Sequence, residues 1–334
     1  MNKKILLIGG AGFIGHHLAI ALNRSGFETI IVDSLAVNNY LPTLLIDGEN
    51  RKLYKKMLDE RLELLQTNDI PIYLCDARNY HELSSIINKK VKPDIVIHLA
   101  AVAHANRSNK DPYSTFDHSL RTLENALDSC RDRVERFIYF SSSMVYGEFK
   151  GDEVIEESDT NPKDIYGSLK LSGELMVKAY HNIFGLPYTI VRPSALYGER
   201  CISRRVIQVF IENALREEPI EVRGGEDKLD FTYIDDLVDG LLRVIEYFNN
   251  SCNQTFNLTY GEGRSINDVV DILGKELVVN AFYKDRDKNI PKRGTLNINW
   301  ARCKLGYNPQ YPIEIGVRKY LNWYRTVMRK GIGK

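Results

Sequence analysis

An apolar run, Lys4-Ile5-Leu6-Leu7-Ile8, leads directly into Gly9-Gly10-Ala11-Gly12-Phe13-Ile14-Gly15, whose glycines satisfy both G-x-x-G-x-x-G and, from Gly10, G-x-G-x-x-G. After a strand and before helical spacing, such a string reads as a strand–turn–helix unit. Bare backbone there lets a pyrophosphate reach the N–H groups and the positive end of the helix. Asp33 closes the next apolar run 18 residues after Gly15. A carboxylate at that spacing accepts hydrogen bonds from an adenosine ribose. No Lys or Arg stands between Asp33 and Arg51. A 2′-phosphate would want a nearby cation and be repelled by Asp33, so the spacing predicts NAD rather than NADP. Gly9, Gly12, Phe13, Ile14, Gly15 and Asp33 are the first expected cofactor contacts. Lys3 and Lys4 imitate the start of a secretory signal, but the apolar stretch breaks after four residues and is expected to be a strand.

Strand-like and helix-like runs alternate through the first two thirds of the chain. Thr29–Asp33, Ile70–Cys75, Ile95–Leu99, Phe137–Ser141 and Tyr188–Val191 are expected strands. Ile14–Ser25, His81–Lys89, Thr115–Cys130 and Gly167–Phe184 carry apolar residues at helical intervals. The alternation predicts an α/β fold with a doubly wound parallel sheet over residues 1–192, its ligand crevice at the carboxyl ends of the strands. Residues 193–334 read as a smaller α/β lobe over that crevice, with helices expected over Ser203–Arg216, Ile234–Tyr247 and Ile313–Val327 and a strand at Ile220–Arg223. Between Asp33 and Ile70 lies a long connection in which Arg51–Gln66 has the pattern of an amphipathic surface helix. Asp76 and Ala77, after the third strand, face the adenine, or Asp76 caps the following helix. Leu99, Ala100 and Ala101, after the fourth, offer small side chains where a cofactor passes close to backbone.

Composition narrows the partners. The 334 residues carry 45 Lys and Arg against 44 Asp and Glu, a net charge of +1, so no global field draws the protein to nucleic acid or an anionic membrane. An anionic ligand must be held locally. Five cysteines, all more than fifty residues apart, give neither a disulfide framework nor a zinc pattern. A reducing, cytoplasmic setting without a metal is expected, and no stretch is apolar enough to span a bilayer.

After the fifth strand comes Ser141-Ser142-Ser143-Met144-Val145-Tyr146-Gly147, and twenty-four residues past Ser142 comes Tyr166-Gly167-Ser168-Leu169-Lys170. Residues four apart share a helix face, so Lys170 is expected beside Tyr166. A phenol with a pKa near ~10 is a poor base at neutral pH, and an adjacent ammonium stabilises its anion by ~1.4 kcal/mol per unit of depression. Ser142 would hold a substrate oxygen while Tyr166 takes its proton, which is the chemistry of alcohol oxidation by a nicotinamide cofactor.

Together these residues resemble the extended short-chain dehydrogenase/reductase superfamily, in particular its NAD-dependent nucleotide-sugar epimerase/dehydratase branch. The similarity runs through Gly9–Gly15, Asp33, Asp76, His98–Ala101, Ser141–Gly147, Tyr166–Lys170, Arg192–Glu199, Asp230–Asp236 and Leu305–Tyr307. It implies a Rossmann-type domain with tightly held NAD, a C-terminal lobe gripping a nucleoside diphosphate sugar, and a homodimer. Carried over, Tyr166 is the base, Lys170 its activator and ribose contact, and Ser142 the hydroxyl residue, with Ser143 as fallback. The dehydratases of the branch look like Asp-Glu where Ser143 and Met144 stand, the decarboxylases like Glu and the 3,5-epimerases like Cys at Met144. What remains is oxidation at C4 with return of the hydride, a 4-epimerase through a transient 4-keto intermediate, or else a C4 dehydrogenase or 4-ketoreductase. A non-catalytic NAD-sensing protein is the reading from another class, and the presence of both Tyr166 and Lys170 counts against it. The resemblance departs from its pattern at Ala195, at Leu229 and at His118-Ser119, where Asn, Arg and Asn are usual. Lys228, Arg293 and Lys292 are therefore the expected phosphate contacts, with Arg204-Arg205 a further pair.

Overall fold

The computed structural model describes residues 3–37, 39, 40, 43, 49–102, 105–287 and 290–332. Its centre is a wholly parallel sheet of β1 (Lys4–Ile8), β2 (Glu28–Asp33), β3 (Ile72–Leu74), β4 (Ile95–His98), β5 (Arg136–Phe140), β6 (Tyr188–Arg192) and β7 (Gln254–Asn257), in the order β7-β6-β5-β4-β1-β2-β3. Successive strand residues point to opposite faces. Ile5, Leu7, Ile97 and Ile138 feed one apolar layer, while Leu6, Ile8, Val96 and Phe137 feed the other. Both faces must then be covered, as in any all-parallel sheet. Helices α1 (Phe13–Arg24) and α2 (Glu49–Thr67) cover the first, and α3 (Thr122–Cys130) and α4 (Ile165–Phe184) the second. This is the doubly wound architecture expected from the strand–helix alternation.

The differences from the sequence reading have local causes. β3 is three residues long, because Pro71 has no N–H to donate to a ladder, although its carbonyl still accepts from Ile31. The helix expected over Thr115–Cys130 starts at Pro112, with Asp111 as its cap, and passes through wider π-type turns over Asp117–Arg121 before α3. β7 was not foreseen, since Phe256 is its single large apolar residue and its periodicity is silent. It pairs with β6, so residues from beyond 192 complete the sheet that the first segment begins.

The remaining residues build the lobe from α5 (Val206–Leu215), α6 (Ile234–Glu246), α7 (Ile266–Gly274), α8 (Ile313–Ile332) and short strand pairs. Asp230 knots it together. Fully buried, its carboxylate accepts from the Thr259 hydroxyl and from the backbone of Gly261 and Leu296, while burial pushes it up to about 7. Asp236, in the first turn of α6, likewise accepts from the backbone of Gln310 and Tyr311.

One buried ion pair fastens α4 to the sheet. Glu174 binds Arg192 of β6 in a two-pronged contact, Nη2–Oε2 2.7 Å and Nε–Oε1 2.9 Å, and the Ser141 hydroxyl donates to the same carboxylate. Arg192 also reaches the Tyr146 hydroxyl, which donates to Asn257 of β7 at 2.7 Å. Breaking such a pair leaves an uncompensated buried charge, so Glu174→Ala is expected to destabilise the fold by about 3–5 kcal/mol in urea titrations. Asp159→Ala, which removes an equally short but exposed contact to Lys150, is expected to leave the midpoint unchanged.

Candidate active site

The glycine loop works by close approach. Gly9 has φ +82°, and a Cβ there would lie 2.7 Å from the Ala100 nitrogen at the end of β4; one on Gly15 would lie 2.5 Å from the Gly10 backbone. The strand end and helix start are therefore pressed together as only glycine allows. Asp33 braces the loop, accepting from the Ala11 nitrogen at 2.9 Å and the Leu35 nitrogen at 2.8 Å. Helix α1 begins after Gly12 without a side-chain cap, which leaves its first N–H groups open to an anion.

Over this loop runs a crevice of about 950 Å³. Gly9, Gly12, Phe13, Ile14, Gly15, Asp33, Asp76, Ala77, Leu99, Ala100 and Ala101 all line it. Asp76 is held by Arg78 through Nη2–Oδ2 at 2.6 Å and Nε–Oδ1 at 3.0 Å, and the cap of the following helix is Asn79. The uncapped helix end, the glycine cradle and the carboxylate at the end of β2 fit an NAD dinucleotide.

A second cavity of about 860 Å³ adjoins the first, the two sharing Ile14, Leu99, Ala101, Leu196 and Arg205. Ser142, Ser143, Met144, Tyr166, Lys170 and Arg293 face it. Asp164 starts α4 by accepting from the Gly167 nitrogen at 2.7 Å, which places Tyr166 in the first turn at the mouth of the sheet. Ser142 is fixed by accepting from the Met144 nitrogen at 3.2 Å, and it lines the same cavity as Tyr166. Proton donor and hydroxyl ligand thus meet in one cavity beside the glycine crevice.

Burial and neighbouring cations set the electrostatics of the pair. Lys170 shares the Tyr166 face, but its ammonium lies 5.9 Å from the Tyr166 ring and donates to the Phe140 carbonyl at 2.6 Å. Burial lowers Lys170 to about 8, opposed by Glu174 one turn on. Burial also holds the Tyr166 phenol above its ordinary value, and the groups that pull it down are Arg205, the Ser142 hydroxyl and Arg293. Lys170 stands on the expected face of the helix, and Arg205 and Arg293 of the lobe are further cations lining the same cavity.

The expected phosphate cations are sorted by position. Arg293 and Arg205 line the catalytic cavity, and the Arg293 Nε is buried with no hydrogen-bond partner among the described residues. Lys228 and Lys292 are exposed and line neither cavity, and Arg204 turns away to the Tyr54 hydroxyl. Lys228 is exposed at the start of a short strand, Lys228–Asp230, along which burial deepens towards Asp230. Ala195 stands where the resemblance expects Asn and has φ +35°, a conformation that asparagine or glycine tolerates better. Sequence reasoning missed Arg61, which reaches the dinucleotide crevice from α2. Its signal was present: Tyr54, Met57, Leu58, Arg61 and Leu65 form one buried helical stripe, with a charge in its middle. Among the described residues no group of His, Cys, Asp and Glu is placed to hold a metal, and no helix is long and apolar enough to cross a membrane.

Residues 5–259 match the model of the NAD dependent epimerase/dehydratase family. The chain belongs to that family. It is 29% identical over 330 residues to a putative UDP-glucose 4-epimerase of Methanocaldococcus jannaschii, covering 96% of this chain and 98% of the relative. Among solved structures, the UDP-glucuronic acid 4-epimerase of Bacillus cereus superposes with a TM-score of 0.86 at 27% identity, covering 97% of this chain and 99% of that one. The UDP-glucose 4-epimerase of Thermotoga maritima gives 0.83 at 27% identity, with the same coverage.

Two outcomes follow for this member of the family. Gly15→Ala forces a methyl into the Gly10 backbone, so the purified variant is expected to carry less NAD than the parent when cofactor content is measured by absorbance. A tyrosine base must be ionised to act, so activity rises with pH through its pKa. Arg205→Gln removes a cation that lowers that pKa, and the rise in kcat/KM is expected to move to higher pH.

Proposed function

We propose that this chain is an NAD-dependent 4-epimerase of nucleoside diphosphate sugars, acting on a UDP-hexose or the corresponding UDP-uronate. The observation that carries the reading is that Ser142 and Tyr166 line one cavity adjoining the dinucleotide crevice, while Ser143 and Met144 offer no second acid or base. Tyr166 and Lys170 are the residues that would face the nicotinamide ribose. NAD bound there would supply a reversible hydride acceptor for C4, with the sugar as a transient 4-ketone. Ser142 holds the C4 oxygen, and Tyr166 removes the hydroxyl proton and later gives it back. Arg205 and Arg293 favour the phenolate and present guanidinium groups to an anionic substrate. The relatives that bear on the nucleotide are named for UDP-glucose and UDP-glucuronic acid.

The homodimer is part of this proposal. Tyr113 is 83% exposed and Leu175 61%, and Phe116 and Phe184 are also open, all on the Pro112–Cys130 segment or on α4. Exposed apolar side chains on two neighbouring helices suit burial against a second copy. All five cysteines are free thiols, which suits a reducing cytoplasm.

Proton NMR of the protein with UDP-glucose and with UDP-glucuronate is expected to show inversion at C4 without solvent deuterium at C5. Deuterium at C5 would point to elimination instead, and stoichiometric NADH release to a C4 dehydrogenase. Tyr166→Phe is expected to lower turnover by about 10²–10⁴-fold while sparing NAD binding.

A further inference from the structure

The function described so far gives no role to the connection between β2 and β3. Its helix α2 buries Arg61, a charged residue on an apolar stripe, at 1% exposure. Two of its nitrogens are used on one acceptor: Nε donates to the Arg200 carbonyl at 3.1 Å, and Nη2 donates to the same oxygen. The third, Nη1, is buried and finds no acceptor among the described residues, although Arg61 lines the dinucleotide crevice with Gly12, Asp33 and Ser34. A buried guanidinium nitrogen without a partner carries a desolvation penalty that a bound anion would remove.

What surrounds Arg61 says where that anion lies. Arg200, whose carbonyl Arg61 holds, donates from Nε to His16 Nε2 at 2.9 Å, and the opposite nitrogen of His16 then donates to the Gly12 carbonyl at 2.8 Å. A second nitrogen of Arg200 pairs with Glu60, the neighbour of Arg61 on α2, at 2.9 Å. α2, the loop at Arg200 and the first turn of α1 are thus linked by one chain of hydrogen bonds at the glycine cradle. Burial lowers Arg61 to about 10, and the nearby Asp33 only partly opposes this.

We propose that Arg61 is a cofactor ligand: its Nη1 donates to the phosphate-bearing part of the dinucleotide, and α2 is the element that closes the crevice over it. The inference rests on the reading of this crevice as an NAD site and adds a residue and an element to it. It also gives the Arg61 guanidinium a second task. Bound phosphate and the Arg200 carbonyl share one rigid fork, so the cofactor holds in place the loop that carries Arg205 into both cavities.

The test is calorimetric titration of the full-length protein and of Arg61→Met with NAD, ADP and adenosine. A charge-assisted contact to phosphate predicts that the variant binds NAD and ADP about ten- to a hundredfold more weakly and adenosine equally well. Unchanged affinity for NAD and ADP would overturn the proposal, as would an equal loss for adenosine, which marks a purely structural residue. A crystal structure of the parent with NAD decides the matter even if the variant fails to fold. Nη1 within about 3.2 Å of a phosphate oxygen supports the assignment, and a separation beyond about 4 Å removes it. A parent protein that binds no NAD at all would remove the cofactor reading and this inference with it.

Discussion

Glu174 and Arg192 meet where helix, sheet and catalytic loop converge, and the geometry of the cavity descends from that contact. α4 must present Tyr166 and Lys170 at the carboxyl edge of the sheet, yet only one side of a helix can do so. Tyr166, Lys170 and Glu174 follow one another at four-residue intervals, so the carboxylate fixes the face on which the other two stand. Because Ser141 also donates to Glu174, the serine loop and the helix share one anchor. Arg192 extends the anchor through Tyr146 to Asn257, so three adjacent strands are in register with the site.

Around the cavities the charge balance is deliberately incomplete. The whole chain is nearly neutral, yet Arg61, Lys170, Arg205 and Arg293 converge on the two crevices. Two of them hold a buried nitrogen that meets no acceptor among the described residues. Unpaired buried donors weaken a fold, and natural proteins retain them where a ligand supplies the missing acceptor. Asp33 follows the same logic from the opposite sign, since burial raises its carboxyl and two backbone N–H groups pull it back. The unusual backbone at Ala195 belongs with these local costs, placed beside the chemistry rather than in the core.

The glycine loop, the strand ends and the Ser–Tyr–Lys order were legible because each depends on residues close together in sequence. The strands of the sheet interior were legible for the same reason: both faces are buried, so each reads as an apolar run. What escaped detection depends on residues far apart. Arg61 meets the crevice only once α2 has packed against α1, and its partner Arg200 lies 139 residues away. The distance between Lys170 and the Tyr166 ring is decided by the Phe140 carbonyl, a backbone group that no motif records. Lys228 and Arg293 look alike as isolated cations, and only the folded chain separates them, leaving Lys228 exposed and bringing Arg293 to the cavity.

The seventh strand has a wider implication. Because β7 is supplied by the lobe, β6 would be a bare edge in a chain ending at 192, with its N–H and C=O groups open to any passing strand. The lobe proposed to recognise substrate and the part that lines the dinucleotide crevice therefore share one sheet. Selection on sugar preference has to proceed by changing loops and single side chains, since wholesale replacement of the lobe would remove a piece of the scaffold itself.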